Sequence, residues 1–455
     1  MRLLSRCPAL VAAALAALCL GTPSTQAAPA PGTIADQYIV VFKPTVADAK
    51  AATHTLAQQH GLSPSHVYQH ALKGFAARVP SARVAALRAD SRVLFIAQDR
   101  QVHSTVLAPG PLSALVVGPP QQAPTGLQRI GAAADGVHQM LTNKGAGIGV
   151  AVIDTGIALN HPDLQANIAP TSTSCVPGTT SADDDLGHGT HVAGTIAALD
   201  NAIGVVGVAP EAQLYPVKVL DSTGFGEFSW LICGIDWVTA NARNPDGSRR
   251  IQVANMSLGG FGFSDGDCGL LSGDPLHLAI CNSRDAGVTY VVAAGNDAFD
   301  AAYSVPAAYD DAVIAVSALA DADGRPGGLG APTSSGADDD FASFSNWGAQ
   351  VALGAPGVNI LSTVPTTDCL LCDPTGYRQL SGTSMAAPHV AGAAALYLKT
   401  HPGAAWWQVR DALVLAGETL TQRCTPSAVG GACHVDSIGL HTFVGSEPIL
   451  QVGGS

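Results

Sequence analysis

Between residues 148 and 317, five short apolar runs, mostly rich in β-branched residues, recur at 148–153, 214–219, 251–255, 289–294 and 313–317. The intervals between them are too long for hairpins and read as helical crossovers. Strands joined by helical crossovers pair in parallel, and a parallel sheet is buried on both faces. The runs therefore predict an α/β domain, a parallel sheet covered by helices on both faces. In such a sheet, ligands bind at the edge where strands give way to helices.

Three junctions of that kind carry chemistry. Val150-Ala151-Val152-Ile153-Asp154-Thr155-Gly156 runs an apolar strand into an Asp. Gly187-His188-Gly189-Thr190-His191-Val192-Ala193-Gly194 sets a His among glycines at a helix start. Gly382-Thr383-Ser384-Met385-Ala386-Ala387-Pro388-His389 sets a Ser at another. A Ser hydroxyl is a weak nucleophile at its own pKa. A His can take its proton and later return it to a leaving amine, and an Asp can hold the imidazole in the right tautomer. Small glycines beside them let a substrate backbone approach. Alone, each residue reads as a cap or a turn; together, in these contexts, they point to nucleophilic catalysis. No Gly-x-Ser-x-Gly elbow surrounds Ser384, which argues against an exported esterase.

Residues 1–27 read as an export signal: Arg2 and Arg6, then an apolar run over 9–20, then small residues up to Ala27. That run is too short to span a bilayer, so the expectation is a secreted protein, extracellular or periplasmic, with no stable membrane anchor. Residues 28–103 hold a second pattern. A β-rich run at 37–42, a helical stretch at 47–60, a strand at 74–79, a helix at 81–88 and a strand at 93–96 outline a small α+β, ferredoxin-like domain, marginal on its own. Residues 104–125 form an uncharged, Pro/Gly-rich linker, expected to hold the maturation site. The catalytic domain is expected over 126–445, with 446–455 as a C-terminal tail.

The net charge is −13, which excludes a nucleic-acid partner. It is unevenly placed. Residues 36–103 carry eight Lys/Arg against four Asp, and everything from residue 104 onward sums to −19. Complementary fields would steer the basic segment onto the acidic body. A 47% hydrophobic, 13% charged chain is not disordered.

Eight cysteines follow the signal: Cys175, Cys233, Cys268, Cys281, Cys369, Cys372, Cys424 and Cys433. An even number in an exported chain suggests disulfides, although on the order of a hundred connectivities are open. Spacing favours Cys268–Cys281, Cys369–Cys372 and Cys424–Cys433, leaving Cys175–Cys233. Cys369 and Cys372 have no second close Cys/His pair to complete a zinc site.

Over about 126–400 the chain resembles the subtilase family of serine proteases. The resemblance rests on the three junctions and on Asn160-His161-Pro162-Asp163-Leu164, Gly207-Val208-Ala209-Pro210, Asn255-Met256-Ser257-Leu258-Gly259 and Ala293-Ala294-Gly295-Asn296. It implies a triad of Asp154, His188 and Ser384. It implies Asn296 as an oxyanion-hole side chain, with the Ser384 N–H as second donor. Ser257, Leu258 and Gly259 would form one wall of the cleft, Ala293 and Gly295 another part, and Gly224-Phe225-Gly226 the opposite edge, where substrate adds as a strand.

Segment 36–103 resembles the family's inhibitory propeptide, through Gly74-Phe75-Ala76-Ala77 and the residues up to Asp99. The expectation is a monomeric serine endopeptidase made as a zymogen. Its partners would be protein or peptide substrates and its own propeptide, which acts as inhibitor and folding aid. The chemistry requires no cofactor. Structural calcium occurs in many family members, and Asp183-Asp184-Asp185 and Asp338-Asp339-Asp340 offer oxygen ligands. A recurrent calcium site just after Phe344-Ser345-Asn346-Trp347-Gly348 lacks its acid here. The alternatives are a processing protease of narrow specificity and a catalytically dead, substrate-binding relative; the intact triad with Asn296 argues against the second. His191 and His389 read as core residues.

Overall fold

The computed structural model describes residues 31–104, 120–418 and 447–452. The export signal, Cys424, Cys433 and most of the linker lie outside them.

The N-terminal segment folds as β1 (Thr33–Phe42), α1 (Ala49–His60), β2 (Pro64–Tyr68), β3 (Gly74–Arg78), α2 (Ser81–Arg88) and β4 (Val93–Ser104). Its strands pair antiparallel in the order β2-β3-β1-β4. Asp48 starts α1 by accepting the Ala51 N–H at 2.9 Å, and Gly61 ends it at φ 58°. Successive residues of β1 point to opposite faces. Val40 and Phe42 pack with Leu56, Phe75 and Leu87 under the helices. Ile39 and Val41 pack with Tyr68 and Ala76 against Phe228, Leu231 and Ile232 of the body. A segment too small for two cores of its own thus shares one with its neighbour.

The body follows as α3 (Thr125–Arg129), β5 (Gly149–Asp154), β6 (Thr173–Ser174), α4 (His188–Ala197), β7 (Gln213–Lys218), β8 (Phe225–Glu227), α5 (Phe228–Ala240), β9 (Val253–Met256), β10 (Leu258–Phe261) and α6 (Pro275–Asp285). It continues with β11 (Thr289–Ala293), β12 (Ser304–Val305), β13 (Val313–Ala320), β14 (Asp340–Phe341), β15 (Val351–Pro356), β16 (Ile360–Thr363), β17 (Tyr377–Leu380), α7 (Thr383–Thr400) and α8 (Trp406–Ala416). The sheet runs β6-β7-β5-β9-β11-β13-β15, all parallel, with β14 added antiparallel to β13. Val150 and Val152 face the core shared with α4 and α7, while Ala151 and Ile153 face α5 and α6. Sequence patterning missed β15 and the antiparallel β16–β17 hairpin. Helix α7 is buried along nearly its whole length, consistent with the small and apolar residues on all its sides.

Disulfides join Cys175–Cys233, Cys268–Cys281 and Cys369–Cys372, the pairs that spacing put forward. The fourth pair falls outside the described residues. Two stretches at the expected boundaries belong to the body. In the linker, Gln121 is only 2% exposed and bonds to Asp200 and to the Val137 carbonyl. Residues 447–452, read as tail, lie along β15. Gly354 donates to Pro448 O and Leu450 donates to Gly354 O, with Ile449 and Leu450 buried. An edge strand with apolar neighbours recruits such cover. No helix among the described residues is long and apolar enough to cross a membrane.

Candidate active site

Asp154 ends β5, Ser257 follows β9, and Asn296 lies three residues beyond β11, so all three sit at the carboxyl edge of the sheet. Helices α4 and α7 bring His188 and Ser384 to the same edge in their first turns. His188 Nδ1 lies 2.7 Å from Asp154 Oδ1, and both side chains are fully buried. An ionised carboxylate accepts only, so Nδ1 carries the proton and Nε2 is left as the basic nitrogen. Nε2 has no hydrogen-bond partner among the described residues. Asp154 Oδ1 also accepts the Thr155 N–H at 2.7 Å. A Cβ on Gly189 would lie 2.1 Å from Gly156 O, so α4 can approach the end of β5 only with glycine there.

Ser384 and Ser257 bond reciprocally. Ser384 Oγ donates to Ser257 O at 3.1 Å, and Ser257 Oγ donates to Ser384 O at 2.8 Å. Asn296 Oδ1 accepts both the Thr383 N–H (2.9 Å) and the Thr383 hydroxyl (2.8 Å). Two donors there fix the amide orientation, and Nδ2 becomes the end able to donate elsewhere. The Thr383 hydroxyl in turn accepts the Gly295 N–H at 3.1 Å. Thr383 therefore positions Asn296, a role that sequence reading missed although Thr383 lies inside the quoted motif. Gly295 has φ 110°, and a Cβ there would lie 2.3 Å from Asn346 Nδ2. Ala293 is buried at the end of β11, on the approach to this turn.

The acidic run before α4 has specific partners. Asp184 Oδ1 accepts from Leu186 N, Gly187 N and Thr155 Oγ1 at 2.8–3.0 Å. Its Oδ2 accepts from Thr190 N (2.9 Å) and Thr190 Oγ1 (2.5 Å). The carboxylate thus caps the helix that carries His188 and ties it to the residue after Asp154. Asp185 pairs with Lys218 at 2.6 Å, and Asp183 accepts the Leu159 N–H at 3.0 Å. The three carboxylates thus turn to separate partners. The signal available in the sequence was an Asp four residues before the helix-start His.

Burial pushes the His191 imidazole down to about 3, helped by the nearby His188, and pushes His389 down to about 4. Both are neutral. His191 Nε2 lies 2.9 Å from Ile360 O, and His389 Nδ1 lies 2.9 Å from Met385 O. They hold backbone in place.

The remaining cleft residues surround one strand. The end of β4 lies between β10 and β8, antiparallel to both. Ser104 pairs with Leu258 and His103 with Gly259 on one side; His103 pairs with Phe225 and Val102 with Gly226 on the other. Ser104 N–H donates to Gly224 O at 2.9 Å.

Two family models match. One, described as the subtilase family, covers residues 145–430, and the other, peptidase inhibitor I9, covers 37–105. The chain belongs to the subtilase family. As a subtilase with an inhibitor-type propeptide, it is a serine endopeptidase made as a zymogen. Among its relatives is an extracellular serine proteinase of Thermus sp. (strain Rt41A), 39% identical over 419 residues, which covers 86% of this chain and 88% of that protein. Another is subtilisin E of Bacillus subtilis (strain 168), 36% identical over 382 residues, covering 83% and 84%. Among solved structures, a cold-adapted subtilisin-like serine proteinase matches with TM-score 0.51 at 34% identity, over 66% of this chain and 93% of that one. Fervidolysin from Fervidobacterium pennivorans shares the fold, with TM-score 0.66 at 24% identity, over 93% of this subtilase and 61% of that chain.

Proposed function

We propose that the subtilase is exported as a zymogen and, once freed of its propeptide, hydrolyses peptide bonds in extended protein and peptide substrates. The observation that carries this reading is the end of β4, held as a strand between β8 and β10 and leading toward Ser257 and Ser384. A substrate takes the place of that strand, with backbone bonds to Gly224 and the Leu258–Gly259 wall. Bonds of this kind read peptide backbone rather than side chains, which supports broad specificity.

Ser384 is the nucleophile. Its hydroxyl turns from Ser257 O to His188 Nε2 and gives up its proton there as Oγ bonds the substrate carbonyl carbon. Asp154 stabilises the imidazolium that results. The carbonyl oxygen, now negative, accepts from Asn296 Nδ2 and the Ser384 N–H at the start of α7. The C–N bond breaks as Nε2 protonates the leaving amine. Water then gives a proton to Nε2 as its oxygen bonds the acyl carbon; the bond from that carbon to Ser384 Oγ breaks, and Nε2 returns the proton to Oγ. Each step uses groups of this one chain, which supports a monomer as the working unit, and the triad chemistry calls for no cofactor. Secretion is supported by the signal-like residues 1–27 and by the extracellular relative.

Cleavage of a peptide library by the mature enzyme tests the reading. Cuts at many unrelated sequences are expected; a single short motif would favour a processing protease.

A further inference from the structure

Residues 321–339 leave β13 and return to β14, and the antiparallel pairing of Ala320 with Asp340 closes their base. Three carboxylates collect there. One ligand oxygen each from Asp321, Asp323 and Asp338 lies within 4.8 Å of the others. Oxygens that share one calcium ion at about 2.3–2.6 Å lie no more than about 5 Å apart. Asp321 and Asp338 are 3% and 5% exposed, and Asp323 is the more accessible of the three.

One cation acts on the group: Arg129 lies near enough to Asp321 to favour its charged form, yet the net shift of the Asp321 carboxyl is still upward. The buried Arg129 is held by Asp339 (2.6 Å) and Glu418 (2.8 Å). Among the described residues, none of the three carboxylates forms an ion pair with a cationic side chain. Asp338 is stabilised by the Ala322 and Gly330 N–H groups, both at 2.7 Å. Asp321 Oδ1 accepts the Gly324 N–H at 3.0 Å, but its Oδ2 is buried with no hydrogen-bond partner among the described residues. A bare carboxylate oxygen in a dry site is unfavourable unless something positive, or a proton, meets it. Burial and the neighbouring Asp339 and Asp338 push the Asp321 carboxyl up to about 7.

We infer that Asp321, Asp323 and Asp338 bind a hard divalent cation, calcium in chemical class, which closes the 321–339 loop onto β13. Oxygen-only donors select such an ion over zinc or copper. Asp321 Oδ2 is the inner ligand, and the accessible Asp323 leaves the outer side to water. The competing occupant is a proton on Asp321.

The test uses the full-length Ser384→Ala precursor, stripped with a chelator and titrated with calcium chloride by calorimetry, with bound metal counted by mass spectrometry. Counting per chain separates this site from any other that the protein holds. Asp321→Asn and the milder Asp323→Asn should each bind one calcium fewer per chain, or bind it more than tenfold more weakly. The loop should also become a faster target for an added protease in both. If Asp323→Asn matches the precursor in stoichiometry, affinity and loop cleavage, the carboxyl is kept by a proton and the proposal fails.

Discussion

Asp99, near the end of the propeptide, accepts the backbone N–H of Ser229 at 3.1 Å, in the first turn of α5. Glu227, at the N-cap position of that helix, makes no side-chain capping bond. The cap therefore comes from another part of the chain, and the helix loses it when the propeptide leaves. Asp99 is fully buried, and Gln37 holds its other oxygen at 2.9 Å. N-cap truncations cost about 1 kcal/mol, up to ~2. Asp99→Ala should weaken inhibition of the mature enzyme by isolated 28–104 about tenfold, measured as Ki.

His66 lies 3.0 Å from Cys175 O, and burial on docking holds its pKa below the usual value. Docking therefore favours the neutral ring, and the contribution of His66 is fully present above the free value of about pH 6.5 and is lost as pH falls from there through the lower docked value. Asp99 and Glu227 act oppositely: burial raises both, so their share weakens as pH rises. In a series of Ki values from pH 5 to 8, His66→Gln should remove the loss of inhibition on the acid side. An unchanged acid limb assigns it to other groups.

The register of β4 against β10 also sets the cut. Ser104 is paired with Leu258, the residue after Ser257, whose carbonyl receives the Ser384 hydroxyl, so the described end of β4 stops one position short of the nucleophile. N-terminal sequencing of the mature enzyme should begin at Val106, after cleavage of the bond that follows Thr105. A first residue before 104 or beyond 110 contradicts that register.

Asp184 gathers five donors at the start of the His188 helix. Asp184→Ala leaves buried N–H groups unpaired, at about 1–3 kcal/mol each where no water replaces the bond. Thermal melting should show a loss of about 2–4 kcal/mol, and kcat should fall because His188 is no longer held against Asp154. Asp184→Asn, which keeps one acceptor oxygen, should recover part of both.

The sheet and the three junctions were legible because apolar β-branched runs and glycine-flanked polar residues are local signals. What escaped depends on contacts distant in sequence. β15 follows the glycine-rich 321–340 stretch and includes Gly354, so its run is weak as a local pattern. Asp184 looks like one of three solvated acids until folding turns its neighbours toward other partners. Thr383 reads as motif filler until Asn296, 87 positions earlier, comes to rest on it. The unpaired oxygen of Asp321 likewise exists only once β13 and β14 meet.

On the proposed mechanism Ser384 is the nucleophile and His188 activates it. Mature enzyme labelled with a fluorophosphonate and mapped by peptide mass spectrometry tests it most directly. One adduct per active molecule is expected, on Ser384, with activity lost in step, and labelling should be slowed at least a thousandfold in His188→Ala. Full inactivation with the label on another residue, or undiminished peptidase activity in Ser384→Ala, would contradict it.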